Sequence, residues 1–185
     1  MIEQVVVRKD LRLEVVKWLS NAKELGLSQG LTVMPKKVFY KYVPKSRSNG
    51  DGKIMRHLTR DELEKANSRL VHLINRLVLK NSYKRNGTKL VAVASIEGDG
   101  NSCIDLHTHF LLEKPESYTN KEFYEKVVKA IELSGEFEMS NPNYRDGRDS
   151  EDKKNRYKIE EIDQGWSEYI TKKIDKLDLN RLYFY

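Results

Sequence analysis

The chain has 185 residues, and 34 Lys+Arg against 28 Asp+Glu leave a formal net charge of +6 at pH 7. Hydrophobic residues make up 38%, enough for a core at this length, which argues against wholesale disorder and predicts one domain over 1–185. The lone cysteine, Cys103, excludes an internal disulfide and a multi-cysteine zinc site. No apolar run nears the ~20 residues of a membrane helix, and MIEQVVVRKDLRLE at the start has no signal-peptide h-region. A cytoplasmic protein without a membrane partner is expected.

In chain order, Val5–Val7 reads as a short strand. Leu11, Val15, Trp18, Leu19 and Ala22 recur at helical spacing until Gly26 stops the run, which gives a helical N-terminal segment over 1–28. A core over about 30–178 follows. Gln29–Pro35 reads as a strand, and residues 44–53 (PKSRSNGDGK) as an exposed loop or hairpin tip. Thr59-Arg60-Asp61-Glu62 has the form of a capping box. Leu63, Ala66, Leu70, Ile74 and Leu77 then share a helix face to about Leu79. Asn86-Gly87 turns the chain into a buried strand over Lys89–Glu97. Gly98–Ser102 is a turn and Ile104–Glu113 the next strand, so the two form a hairpin. A second capping box, Thr119-Asn120-Lys121-Glu122, opens a helix to about Leu133. Residues 141–156 are polar, Tyr157–Ile162 reads as a strand, and a helix covers Trp166–Leu177. This order predicts an α+β fold, a central antiparallel sheet flanked by helices.

The strand holding the histidines is the informative one. Side chains alternate, so Asp105, His107 and His109 share one face while Ile104, Leu106, Phe110 and Leu112, with Thr108, take the other. Two imidazoles about 7 Å apart along a strand can tilt onto one cation. Glu97, which ends the preceding strand, is the expected third ligand, with Asp105 as its rival. Such a His₂-carboxylate set suits a divalent cation that also grips substrate oxygens. Two histidines on a half-solvated sheet face are the plainer reading of the same residues.

In Gly165-Trp166-Ser167-Glu168-Tyr169-Ile170-Thr171-Lys172-Lys173, helical spacing lines up Trp166, Ile170 and Ile174 as a docking stripe. It also makes Tyr169 a neighbour of Lys172 and Lys173. A phenol near a lysine and a metal can act as a nucleophile on a phosphate; an ordinary amphipathic surface helix fits the same pattern.

Taken together, Asp105-Leu106-His107-Thr108-His109-Phe110-Leu111-Leu112 and, some sixty residues on, Tyr169-Ile170-Thr171-Lys172 resemble two motifs of the HUH endonucleases. These are the rolling-circle replication initiators (Rep proteins) of plasmids and phages, with their transposase and relaxase relatives. Leu31-Thr32-Val33-Met34-Pro35 has the character of the family's first motif. The resemblance implies a sheet related to the RNA-recognition fold, and Mg²⁺ or Mn²⁺ held by His107, His109 and Glu97. It implies that Tyr169 attacks single-stranded DNA at an origin, leaving a 5′-phosphotyrosine and a 3′-hydroxyl that primes replication. Lys172 would compensate charge on the phosphate, with Lys173 an alternative for that role. The chain departs from the pattern at Thr108, where the family has a bulky apolar residue. No Gly-x-x-x-x-Gly-Lys-Ser/Thr loop occurs, so no helicase domain is expected in this chain, and a host helicase and polymerase are the implied partners.

Lys36, Lys37, Lys41 and Tyr40, with Phe39 and Tyr42, interleave cations and aromatics as single-strand binding surfaces do; a solvated loop and a strand with half-buried aromatics fit the same residues. Two other readings stay open: a single-tyrosine HUH transposase, and a non-catalytic nucleic-acid-binding domain of RNA-recognition type with His107 and His109 as plain sheet residues.

Overall fold

A computed structural model describes residues 17, 26–40, 54–56, 58–98, 106–139, 156–162, 166 and 182–185. The strands are β1 (Leu27–Val33), β2 (Val38–Tyr40), β3 (Ile54–Arg56), β4 (Ala92–Glu97), β5 (His107–Glu113), β6 (Tyr157–Glu161) and β7 (Leu182–Phe184). The helices are α1 (Arg60–Leu79), α2 (Asn81–Asn86) and α3 (Asn120–Ser134).

Both long helices start where the sequence places them. The Thr59 hydroxyl accepts the Glu62 amide and the Glu62 carboxylate accepts the Thr59 amide; Thr119 and Glu122 repeat the exchange. Each box satisfies backbone donors that a helix start otherwise leaves open. Arg56 at the end of β3 strengthens the first box with two bonds to the Glu62 carboxylate, at 2.5 and 2.6 Å. Along α1, Leu63, Ala66, Asn67, Leu70, Val71, Ile74, Asn75 and Val78 are buried, the stripe a helix lays on a sheet.

Five strands form one sheet in the order β6-β1-β5-β4-β7, every neighbouring pair antiparallel. The succession β1-α1-β4-β5-α3-β6 is thus a split βαβ pattern, with β7 added outside β4. This is the α+β architecture expected, with a central antiparallel sheet. One face carries Leu31, Val33, Ala92, Ala94, Ile96, Phe110 and Leu112, which pack with the α1 and α3 stripes into the main core. A smaller cluster of Leu27, Val93, Leu111, Ile162 and Trp166 occupies the opposite face. β2 and β3 pair as a separate ribbon; residues 44–53, read as an exposed loop or hairpin tip, lie outside the described residues.

Three details differ from the sequence reading. The strand expected from Lys89 begins at Ala92, because the Leu90 amide is taken by Asn75 Oδ1 at 2.7 Å and the Val91 amide by Glu113 Oε2 at 2.7 Å. A short helix, α2, follows α1 after Lys80 turns the chain at φ 49°, and ends at Gly87 with φ 68°. The edge strand β7 was not expected at all. Val5–Val7, all of the helix over 10–25 but Lys17, and all of Trp166–Leu177 but Trp166 lie outside the described residues. Among the described residues, no helix is long and apolar enough to cross a membrane.

Candidate metal centre

The β4–β5 register builds the site. Glu97 lies directly opposite His107, and Ser95 opposite His109. Directly opposed residues share a face with Cβ atoms ~5 Å apart, so hairpin pairing alone brings Glu97 beside the histidines despite the nine residues between it and His107. His107 and His109, one pleat apart, tilt until their ring centroids are 4.7 Å apart and perpendicular. His107 Nε2 is 3.7 Å from Glu97 Oε2, and His109 Nε2 is 4.0 Å from Glu97 Oε1. One ligand atom from each of the three residues lies within 4.8 Å of the others.

These separations exceed hydrogen-bond contact. A cation with bonds of about 2.1 Å holds its ligand atoms roughly 3.0–4.2 Å apart, depending on the angle between them. The two carboxylate–imidazole separations fall in that range, so the three side chains are placed to close on one ion. Burial points the same way. Glu97 and His109 are each 3% exposed, so His109 is not the solvated histidine that the plainer sequence reading supposes. A carboxylate withdrawn from water needs compensating positive charge, which a divalent cation between the imidazoles would supply.

His109 is held from behind. On the β1 side, Thr32 is the cross-strand partner of His109, and its Oγ1 is 2.8 Å from His109 Nδ1. Between the histidines, Thr108 points into the core, where Asn67 Nδ2 of α1 donates to its Oγ1 at 3.1 Å. A threonine at this buried position thus has a polar partner on α1.

Trp166 closes the other side. Its indole packs over Gly30 of β1 so closely that a Cβ there would meet ring carbons at 2.4–2.7 Å. The ring centroid is 6.3 Å from that of His109, edge to face. Trp166 therefore lies on the metal-binding face of the sheet. Of the docking stripe expected to follow it, Ile170 and Ile174 lie outside the described residues, as do Tyr169, Lys172 and Lys173 and the rival ligand Asp105.

The expected DNA-contacting residues divide. Lys36 and Lys37 are exposed and leave β1 at the end of the sheet where the register places Glu97 and His107. The Lys36 ammonium donates to the Gly135 carbonyl at 2.9 Å, so it also neutralises the C-terminal end of α3. Tyr40 ends β2, and Lys41 lies outside the described residues. Sequence reasoning missed Lys158. It is the β6 partner of Thr32, which puts Ser95, His109, Thr32 and Lys158 in one row across the sheet. Its side chain is 60% exposed and its ammonium meets Glu160 at 2.6 Å. Only the strand pairing reveals it; its local sequence carries no signal.

In comparisons with known proteins, no family model, no curated protein and no solved structure matches the chain. Fold and site define an α+β chain whose antiparallel sheet carries a Glu-His-His group able to hold a metal ion.

Proposed function

We propose that the protein is a metal-dependent endonuclease and strand transferase of HUH type, which nicks and rejoins single-stranded DNA through Tyr169 to start rolling-circle replication. The observation that carries this reading is the convergence of Glu97, His107 and His109 on one sheet face, with Trp166 packed on that same face. Tyr169 follows Trp166 by three residues, and three residues span at most roughly 11 Å.

Glu97, His107 and His109, a mixed nitrogen and oxygen donor set, would hold Mn²⁺ or Mg²⁺, which when bound would supply polarisation of a phosphate oxygen. Tyr169 attacks the phosphorus, the 3′-oxygen leaves as a hydroxyl, and a 5′-phosphotyrosine retains the energy of the broken ester for rejoining. Lys172 or Lys173 offsets the charge on the attacked phosphate. Lys36, Lys37, Lys41 and Tyr40 supply phosphate and base contacts that hold the strand. The setting is the cytoplasm, where a host helicase separates the strands and a host polymerase extends the freed 3′ end.

The test incubates the protein with Mn²⁺ and a pool of single-stranded hairpin oligonucleotides, then resolves the products on a denaturing gel. A covalent protein–DNA band is expected, absent from Tyr169→Phe and from His107→Ala. A band that persists in Tyr169→Phe removes Tyr169 as nucleophile, and no cleavage by the wild type across the pool removes the nuclease reading.

A further inference from the structure

An imidazole has two nitrogens; when neutral, the one that carries the proton donates a hydrogen bond, and the other keeps the lone pair that can bind a metal. In metal sites the second nitrogen is regularly fixed by an outer hydrogen-bonding group. For His109 the environment around the ring is defined on three sides. Nε2 faces Glu97 Oε1 at 4.0 Å, the His107 ring stands perpendicular at 4.7 Å, and Nδ1 meets Thr32 Oγ1 at 2.8 Å. Thr32 belongs to β1, whose register with β5 sets it opposite His109. The contact joins positions separated by 77 residues, and both backbones are held by sheet neighbours on either side. A β-branched side chain is stiff at χ1, so the hydroxyl is presented at a fixed place with little entropy left to lose.

We infer that Thr32 is a positioning residue for the metal centre: its Oγ1 accepts the His109 Nδ1–H bond and holds the ring in the tautomer whose Nε2 lone pair faces the cation. The inference rests on the metal-binding part of the proposed function and is independent of the nicking chemistry. Thr32 touches no substrate. It acts by excluding the other tautomer and by fixing the ring plane, so that the ligand is preformed before the ion arrives.

Two substitutions separate the hydroxyl from the space it fills. Thr32→Val keeps the shape and removes the acceptor; Thr32→Ser keeps the acceptor and removes a methyl. Titration calorimetry with Mn²⁺ alone is expected to show about 10–100-fold weaker binding for Thr32→Val and less than about threefold for Thr32→Ser. Long-range ¹H–¹⁵N spectra of the metal-free wild type should show His109 protonated on Nδ1, and Thr32→Val should lose that preference. Wild-type affinity in Thr32→Val, equal losses in both variants, or an Nε2–H tautomer in the wild type would overturn the assignment. If the wild type takes up no Mn²⁺, the metal reading fails, while the tautomer spectrum still judges the Thr32–His109 bond.

Discussion

Gly30→Ala probes the packing that ties the histidine face to the C-terminal part of the chain. An added Cβ meets Trp166 Cζ2 at 2.4 Å, Cε2 at 2.6 Å and Cη2 at 2.7 Å. Carbon atoms in good contact sit at about 3.5–4.0 Å, so the two must separate by roughly 1 Å. The strand cannot yield, because Gly30 is paired with Leu111 on one side and Glu160 on the other. The indole must therefore retreat from the sheet. Overpacking of this kind costs about 1–3 kcal/mol. At about 2–4 °C per kcal/mol for a chain of this size, the melting temperature should fall by about 2–12 °C. The chain has two tryptophans, so emission spectra in a Trp18→Phe background report Trp166 alone and should shift to the red. All three clashing atoms belong to the six-membered part of the indole, and phenylalanine is shorter there. Trp166→Phe should consequently cost less in the Gly30→Ala protein than in the wild type, which a double-mutant cycle measures. A Gly30→Ala protein with unchanged melting temperature and emission would refute the packing argument.

Three further outcomes are expected. Asn67→Ala leaves the buried Thr108 hydroxyl without its amide donor and should destabilise the protein by about 1–3 kcal/mol in urea titrations; a loss below ~0.5 kcal/mol contradicts the role of that bond. Arg56 and the Thr59 amide hold the Glu62 carboxyl at about 2, below its ordinary 4.5. Its contribution is therefore complete above pH 4.5 and fades as pH falls toward 2; the urea-midpoint gap between wild type and Glu62→Gln should shrink over that range, and a constant gap would speak against it. Lys158→Ala should weaken single-stranded DNA binding in low salt and reduce its salt slope by about one, with Mn²⁺ affinity unchanged; an unchanged slope would place Lys158 outside the DNA path.

The legible parts of the sequence were those fixed by near neighbours. Two capping boxes set the starts of α1 and α3 because their partners are three residues apart. Alternation along β5 placed His107 and His109 on one face, and the hairpin brought Glu97 across from them. What was not legible depends on distant pairing. Thr32 meets His109 through a β1–β5 register that no local pattern encodes, and Lys158 joins the same row only because β6 pairs with β1. The close approach of Trp166 to Gly30 joins opposite ends of the chain. Helix α2, NSYKRN, buries no residue, so it has no apolar period to betray it. β7 is three residues long, too short for alternation to stand out.

The central claim is that Glu97, His107 and His109 hold one divalent cation. Anomalous diffraction from crystals grown with Mn²⁺ tests it most directly. The account predicts a single strong peak at roughly 2.0–2.3 Å from a Glu97 carboxylate oxygen and from His107 Nε2 and His109 Nε2. A Mn²⁺ peak bound elsewhere with these three side chains unengaged, or none at saturating Mn²⁺, would contradict it.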